Sequence, residues 1–199
     1  MIKNLIFDIG NVLLGYRTPE IFAEEGLSQA QIDRIVANVF ADPAWSELDL
    51  GIRPFWDVME QLCRNIPDLQ GKVYWLMENN EKMKVDRPRV WERVRLLKEQ
   101  GYGIYLLSNY AEFFAQKHFA HAPFIEWIDG AMISYQVHQI KPNPAIYLAL
   151  LEKYSLRASE CLFFDDLEKN VRAADALGIN AFHVTSEEQL IRKLDELLL

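Results

Sequence analysis

Acidic, hydroxyl, amide and lysine side chains occur at four places in this 199-residue chain where the sequence predicts a strand end or a loop. The residues are Asp8, Ser108 with Asn109, Lys141, and Asp165 with Asp166. Taken singly, each is typical of a helix cap, a turn or a solvated loop. Together, carboxylates from two strands would form a hard-oxygen site suited to Mg²⁺, with a hydroxyl and a lysine available for phosphate oxygens. The set therefore indicates metal-assisted phosphoryl chemistry.

The elements that must position these groups alternate between strands and helices. Short apolar runs predict strands at residues 2–9, 103–107, 130–134, 161–164 and 180–184. One helix is predicted to follow Pro88 and to end at residue 100. Further helices are predicted near residues 111–119, 144–154 and 167–177, and from residue 186 onward. This alternation predicts the α/β class, with a doubly wound parallel sheet. Because ligands bind such sheets beyond the carboxyl ends of the strands, we expect the polar groups to converge there.

Residues 18–84 have a different pattern, with apolar residues at helical spacing and no predicted strand. Breakers near Asp42-Pro43, Gly51, Pro54 and Pro67-Asp68 divide this region into about four short helices. The region is interpreted as a helical insertion in the α/β domain.

Four ordered motifs resemble those of the haloacid dehalogenase superfamily. They read Phe7-Asp8-Ile9-Gly10-Asn11-Val12-Leu13, Leu106-Leu107-Ser108-Asn109, Lys141-Pro142 and Phe163-Phe164-Asp165-Asp166. Because they span nearly the whole chain and lie at predicted strand ends, the resemblance is more specific than one short motif. It implies a Rossmann-like core formed by residues 1–15 and 85–199 and a helical cap formed by residues 16–84.

The resemblance also implies a covalent mechanism centred on Asp8. Asp8 would attack phosphorus to form an aspartyl-phosphate, which water then hydrolyses. Mg²⁺ would be held by the Asp8 carboxylate, the Gly10 carbonyl and the Asp165-Asp166 pair. Asp166 is expected to be the direct ligand, and Asp165 a ligand through water or an orienting group.

Substrate contacts are implied at the other motif positions. Ser108 would donate to a phosphoryl oxygen with help from Asn109, and Lys141 would neutralise charge on the nucleophile and the phosphate. Asn170 would support the loop that follows Asp166. The expected activity is a Mg²⁺-dependent phosphatase for a small phosphorylated metabolite. The Phe-Asp-x-Gly-Asn-Val branch of the family includes sugar-phosphate phosphatases.

Two glycines depart from the family pattern. Most phosphatases of the family carry a second Asp, the general acid and base, at the position of Gly10, and many members of the branch have an acidic residue at the position of Gly15. General acid–base assistance is typically worth about 10²–10⁴-fold in rate, so its source in this chain is an open question.

Two alternatives to a phosphatase therefore stay open. One is a metal-independent dehalogenase, in which Asp8 attacks carbon and displaces halide. The other is a catalytically weak binding or regulatory module. Asp165 and Asp166 argue against the dehalogenase, because uncompensated carboxylates beside Asp8 repel one another unless a cation is present.

Composition limits the partners and the location that we expect. A formal net charge of -8 and a pI near 5.1 argue against affinity for nucleic acid or anionic membranes. Cys63 and Cys161 are too isolated to indicate a disulfide framework or a zinc site. No run has the length of a signal-peptide core or a membrane span. We expect a cytoplasmic monomer or homodimer whose partner is a small phosphorylated metabolite.

Overall fold

The computed structural model describes residues 1–119 and 121–199, and a parallel β-sheet forms its centre. The strands are β1 (Asn4–Phe7), β2 (Leu14–Tyr16), β3 (Lys84–Asp86), β4 (Gly103–Ser108), β5 (Gly130–Ile133), β6 (Cys161–Asp165) and β7 (Asn180–His183). The central sheet has the order β5-β4-β1-β6-β7, and every neighbouring pair in it is parallel. The five predicted strands correspond in order to the five strands of this central sheet, with ends that differ by one or two residues.

The winding of this sheet places the end of β1 at a special position. From β1 the chain passes to β4 and β5 on one side and then returns to β6 and β7 on the other. Phe7, the last residue of β1, lies beside Leu106 of β4 and Phe164 of β6. The carboxyl end of β1 is therefore the topological switch point, where open α/β sheets bind ligands. The predicted α/β class with a doubly wound parallel sheet is confirmed.

Helices cover both faces of the sheet and also form the insertion. They are α1 (Thr18–Glu24), α2 (Gln29–Ile35), α3 (Trp45–Asp49), α4 (Phe55–Cys63), α5 (Gln70–Glu78), α6 (Pro88–Glu99), α7 (Glu112–His118), α8 (Ser134–Val137), α9 (Pro144–Lys153), α10 (Glu168–Ala176) and α11 (Glu187–Leu198). A π-helical turn, Val36–Phe40, continues α2. Asn143 and Ser186 are the N-cap residues of α9 and α11, because their side chains accept hydrogen bonds from backbone N–H groups in the first helical turn.

The sheet is buried on both faces, which explains why its strands are continuous apolar runs. On one face Phe7 stacks on Phe164 with ring centroids 4.8 Å apart. On the other face Ile6 and Phe163 pack against Tyr147 of α9. The first of these apolar clusters continues into the helical insertion, so the insertion and the sheet share buried contacts.

The insertion is connected to the sheet domain by a two-stranded ribbon that the sequence did not predict. Strands β2 and β3 pair antiparallel, with Leu14 opposite Asp86 and Tyr16 opposite Lys84. Helices α1 to α5 lie between these strands, so the estimate of about four helices was too low. Each ribbon strand has only three residues, too few for an alternating pattern to be recognised. The division into a core and a cap at residues 15/16 and 84/85 stays a prediction.

Along the described ranges, no helix combines the length and the apolar character needed to cross a bilayer. Both cysteines are free and buried, Cys63 in the insertion and Cys161 at the start of β6.

Candidate active site

Asp8 lies directly after β1, at the switch point of the sheet. Its side chain is almost buried, with 7% of the residue surface exposed. Oδ1 accepts a hydrogen bond from the backbone N–H of Ile9 at 2.7 Å and lies 3.0 Å from the Lys141 ammonium nitrogen. The predicted nucleophile is thus fixed in orientation and paired with a cation.

Lys141 is only 2% exposed, and three acceptors surround its ammonium nitrogen. Nζ lies 3.0 Å from Asp8 Oδ1, 2.6 Å from Asp165 Oδ2 and 2.9 Å from the Leu107 carbonyl oxygen. An ammonium has three N–H donors, so these contacts use all of them. Burial alone would lower the pKa of Lys141, but the two carboxylates outweigh it and hold that pKa above its usual value. Lys141 is therefore charged at neutral pH.

The three predicted acidic residues form one cluster. Asp8, Asp165 and Asp166 each offer a carboxylate oxygen, and these oxygens lie within 4.8 Å of one another. Both oxygens of Asp165 are occupied, since Oδ2 faces Lys141 and Oδ1 accepts from the Leu167 N–H at 2.8 Å. Asp166 is partly exposed and lines the adjacent cavity. Asp166 is therefore the more accessible member of the pair.

Two asparagines hold this acidic cluster in place. Asn11 Nδ2 donates to Asp166 Oδ2 at 3.0 Å. Asn170 Nδ2 lies 3.0 and 3.1 Å from the two oxygens of Asp165, so its predicted supporting position is found, although it contacts Asp165 rather than Asp166. The amide donors fix the carboxylates without neutralising them.

The cluster carries more negative than positive charge. Burial raises the pKa of Asp8 above its usual value, with Lys141 opposing and Asp165 reinforcing the rise. Burial also raises the pKa of Asp166, and the hydrogen bond from Asn11 opposes it. Three carboxylates compete for one buried ammonium, so the cluster is electrostatically suited to a cation with oxygen ligands.

Ser108 and Asn109, at the end of β4, differ in how their side chains are used. The Ser108 hydroxyl is fully buried, and no described residue is hydrogen-bonded to its oxygen. Asn109 forms a reciprocal pair with the backbone of Lys141, accepting from its N–H at 2.7 Å and donating to its carbonyl at 2.9 Å. Asn109 therefore positions the loop that carries Lys141, and its predicted contact with phosphate stays a prediction.

Gly10 lies in a tight turn that follows Asp8 and lines the cavity. The Ile9 carbonyl accepts from the N–H groups at positions 12 to 14, and Asn11 adopts a left-handed conformation with φ 51°. Arg87 Nη1 donates to the Asn11 carbonyl at 2.6 Å and secures the turn. A Cβ atom at position 10 would lie 3.2 Å from Cε2 of Tyr16. The Tyr16 ring thus occupies the space beside the missing side chain.

A cavity of about 730 Å³ joins these groups to the helical insertion. Apolar and aromatic residues form much of its wall, with Phe40 and Trp45 ring centroids 5.0 Å apart and Trp45 and Phe114 centroids 5.8 Å apart. Sequence reasoning did not identify four polar lining residues, namely Tyr16, Asp49, Tyr110 and His118. They come from separate elements and have no common motif, so no sequence signal groups them.

Three of these residues form a hydrogen-bonded chain with a defined direction. The Asn80 carbonyl can only accept, so His118 Nε2 donates to it at 2.8 Å. Burial lowers the pKa of His118 to about 4, so the ring is neutral at pH 7 and Nδ1 accepts from the Tyr110 hydroxyl at 2.6 Å. The Tyr110 oxygen then accepts from the Tyr16 hydroxyl at 2.5 Å. Tyr16 therefore has no proton left to donate into the cavity.

Comparisons with known proteins agree on the family. A family profile described as haloacid dehalogenase-like hydrolase matches residues 2–178. A D-ribitol-5-phosphate phosphatase from Bacteroides thetaiotaomicron is 29% identical over 195 residues, which cover 92% of this chain and 91% of that protein. A sesquiterpene phosphatase from Aspergillus oryzae is 26% identical over 199 residues, which cover 98% of this chain and 96% of that protein.

A solved structure adds a likeness in fold. The crystal structure of a haloacid dehalogenase family enzyme from Bacteroides thetaiotaomicron, in complex with magnesium and inorganic phosphate, superposes with a TM-score of 0.71 at 23% identity. The likeness covers 94% of this chain and 96% of that one. With the profile matching most of its length, this chain belongs to the haloacid dehalogenase-like hydrolase family.

Proposed function

We propose that this protein is a Mg²⁺-dependent phosphatase that cleaves a small phosphomonoester through an aspartyl-phosphate on Asp8. One observation carries the proposal: the buried Asp8 carboxylate lies 3.0 Å from Lys141 and within 4.8 Å of oxygens from two further carboxylates. Both named relatives are phosphatases, which supports the same reaction class.

The residues present fit a magnesium ion. Asp8, Asp166 and the Gly10 carbonyl would hold it, with Asp165 in an outer position because Lys141 and two N–H donors already occupy its oxygens. When bound, Mg²⁺ offsets the repulsion between the nucleophilic carboxylate and an anionic phosphate.

The chain's own groups supply the remaining steps. Asp8, held by the Ile9 N–H, presents a carboxylate oxygen to phosphorus, and the Lys141 ammonium favours its ionised form against the effect of burial. The unpartnered Ser108 hydroxyl supplies a donor for a phosphoryl oxygen, which would satisfy an otherwise isolated buried group. Water then attacks the phosphoenzyme and regenerates the Asp8 carboxylate.

The names of the two relatives, a D-ribitol-5-phosphate phosphatase and a sesquiterpene phosphatase, point to very different alcohols. Family membership therefore does not specify the organic part of the substrate, and the lining of the cavity is the better guide. Val36, Phe40, Trp45, Met83 and Phe114 give the cavity an apolar wall that favours a largely apolar alcohol. The sugar phosphate expected from the sequence stays a prediction. A substrate panel must therefore contain both kinds of ester.

The test is phosphate release from sugar phosphates, prenyl phosphates and an aryl phosphate, with Mg²⁺ and with a chelator. Asp8→Asn is nearly isosteric with the native residue and removes the nucleophile, so it should abolish Mg²⁺-dependent release from every substrate. An exposed acidic residue far from the site, as in Glu152→Gln, provides a control with unchanged rates.

Two results would overturn the proposal. Halide release from a haloacid in the presence of chelator, with no phosphate release from any ester, would assign dehalogenase chemistry. Binding of phosphate esters without turnover, unchanged in Asp8→Asn, would indicate a binding module.

A further inference from the structure

We propose that Asp49, the last residue of α3, is the proton donor and acceptor that this reaction lacks at position 10. The inference rests on the proposed phosphatase function and adds a catalytic residue to it. Asp49 lines the same cavity as Asp8 and Lys141. It reaches that cavity from the helical insertion rather than from the sheet edge.

The backbone at Asp49 is fastened to the sheet domain. Its carbonyl accepts from the Ser134 hydroxyl at 2.6 Å, and the next carbonyl in the chain accepts from His138 Nδ1 at 2.8 Å. Gly51 has φ 64°, and a Cβ atom there would lie 2.9 Å from the Tyr135 carbonyl oxygen. This close approach leaves room only for glycine. The position of Asp49 relative to Asp8 is therefore fixed by contacts with α8.

The Asp49 carboxyl group is not used in holding the fold. Among residues 1–119 and 121–199, none is hydrogen-bonded or ion-paired to its side chain. Burial, reinforced by the negative charge of Asp8, raises the pKa of Asp49 to about 7. A carboxyl group with such a pKa can both hold and release a proton at neutral pH, which is the property a general acid and base requires.

Lys141 and Tyr16, two other proton-bearing groups beside the cavity, direct their protons to partners within the protein. Lys141 directs its three N–H donors at three acceptors. Tyr16 donates its proton to Tyr110, and the chain of donors ends at a backbone carbonyl. Lys169 also lines the cavity but is exposed to solvent, so it serves as a test position rather than as a competing assignment.

The proposed chemistry is balanced in both steps. As Asp8 Oδ bonds to phosphorus, the ester P–O bond breaks and its electron pair moves to the alcohol oxygen, which takes the proton of Asp49. The oxygen of a water molecule then bonds to phosphorus, and the Asp49 carboxylate accepts a proton from that water. The bond from phosphorus to Asp8 breaks, inorganic phosphate leaves, and both aspartates return to their starting states.

The test compares substrates that differ in their need for a leaving-group proton. Asp49→Asn keeps the size of the side chain but cannot donate an acidic proton. For alkyl phosphates we expect kcat/KM to fall by about 10²–10⁴-fold, the usual value of general acid–base catalysis. For p-nitrophenyl phosphate, whose phenolate leaves without protonation, we expect kcat/KM to fall by less than about 10-fold, because kcat/KM reports only the steps up to departure of the leaving group, before Asp49 acts as a base. Retained aryl phosphatase activity also shows that the variant is folded.

Matched variants complete the design. Asp42→Asn replaces another acidic residue of the insertion that lines the cavity, but its Oδ1 already accepts from the Ala44 N–H and stays an acceptor, so the ratio of alkyl to aryl phosphate activity should stay that of the wild type. Lys169→Met should also keep this ratio. Asp49→Glu, which restores an acid on a longer side chain, should recover part of the alkyl activity lost in Asp49→Asn.

The possible failures are distinguishable. An unchanged ratio of alkyl to aryl phosphatase activity in Asp49→Asn, whether both activities fall equally or neither falls, would overturn the role of Asp49 while leaving the role of Asp8 as nucleophile in place. A selective loss of alkyl activity in Lys169→Met would assign the proton to that residue instead. If Asp8→Asn retains activity on both substrates, the proposed function itself fails and the inference fails with it.

Discussion

Replacing Lys141 with methionine tests whether the buried ammonium is what makes the acidic cluster tolerable to the fold. Methionine preserves most of the side-chain length and can pack in the same space. The change removes one cation from 3.0 Å of Asp8 Oδ1 and 2.6 Å of Asp165 Oδ2, and it leaves the Leu107 carbonyl without that donor. Two buried carboxylates then lack their counter-charge.

The expected loss of stability is large. Removing one member of a buried ion pair typically costs about 3–5 kcal/mol, because the remaining charge stays desolvated. Hydrogen bonds to charged groups contribute about 1.5–3 kcal/mol each, so the loss of two such contacts gives a similar value. We therefore expect Lys141→Met to lower the free energy of unfolding by about 4 kcal/mol at pH 8 without divalent cations.

The loss should depend on pH with a definite sign. The pKa of Lys141 is raised in the folded protein, so its own ionisation favours the folded state at every pH below about 10 and adds no pH dependence between pH 5 and 8. In the variant, Asp8 loses a neighbouring cation that opposes the effect of burial, so its folded pKa rises further. A raised carboxyl pKa means that the folded state binds more protons than the unfolded state as the pH falls. The loss of stability caused by Lys141→Met should therefore become smaller at low pH.

The assay is urea unfolding followed by tryptophan fluorescence, at pH 8 and pH 5, with chelator and then with Mg²⁺. The variant should approach the wild type at pH 5, and Mg²⁺ should restore part of the loss at pH 8 because a bound cation replaces the missing charge. Lys3→Met is a matched control, because the Lys3–Glu160 pair is exposed and should contribute only about 0–1 kcal/mol. A loss below about 1 kcal/mol at pH 8, or equal losses at both pH values, would refute this reasoning.

Three further predictions concern the surroundings of the cavity. Tyr110→Phe leaves His118 Nδ1 without a donor and should cost about 2 kcal/mol in urea unfolding, whereas no loss would mean that the chain from Tyr16 does not stabilise the fold. Gly51→Ala should lower the free energy of unfolding more than Gly26→Ala does. Both glycines have positive φ, but only Gly51 is crowded by a neighbouring backbone. Equal losses of stability would contradict the tight contact at Gly51. Burial lowers the pKa of His118 from 6.5 to about 4, so stability should fall by up to about 3 kcal/mol as the pH drops through that range. His118→Gln should flatten this decline, and an unchanged acid unfolding profile would show that His118 is not responsible.

Much of the site could be predicted because its parts are encoded locally. Asp8, Ser108 and Asp165 each end or follow a short apolar strand, and parallel strands bring their carboxyl ends to one edge. The structure confirms this convergence at the reversal of strand order beside β1. Lys141 lies in a loop with no strong pattern of its own, so its residue type made it a candidate and the family motif supplied its expected role.

Other features were outside the reach of local patterns. Strands β2 and β3 are stabilised by pairing with each other across the whole insertion, so neither is recognisable alone. Asn109 was expected to contact phosphate, but its amide is complementary to the backbone of Lys141, a match that depends on how two loops approach. The different surroundings of Asp165 and Asp166 likewise depend on which side chain faces the sheet interior.

Periodicity, turn residues and strand-end polar groups are short-range properties of the chain, so the fold class and the set of polar residues at the sheet edge could be predicted from the sequence. What surrounds that set depends on tertiary packing. Asp49 and Tyr16 enter the cavity because the insertion docks on α8 and on the turn after Asp8. Such contacts join residues far apart in the chain through packing, and packing leaves no periodic signal in the sequence.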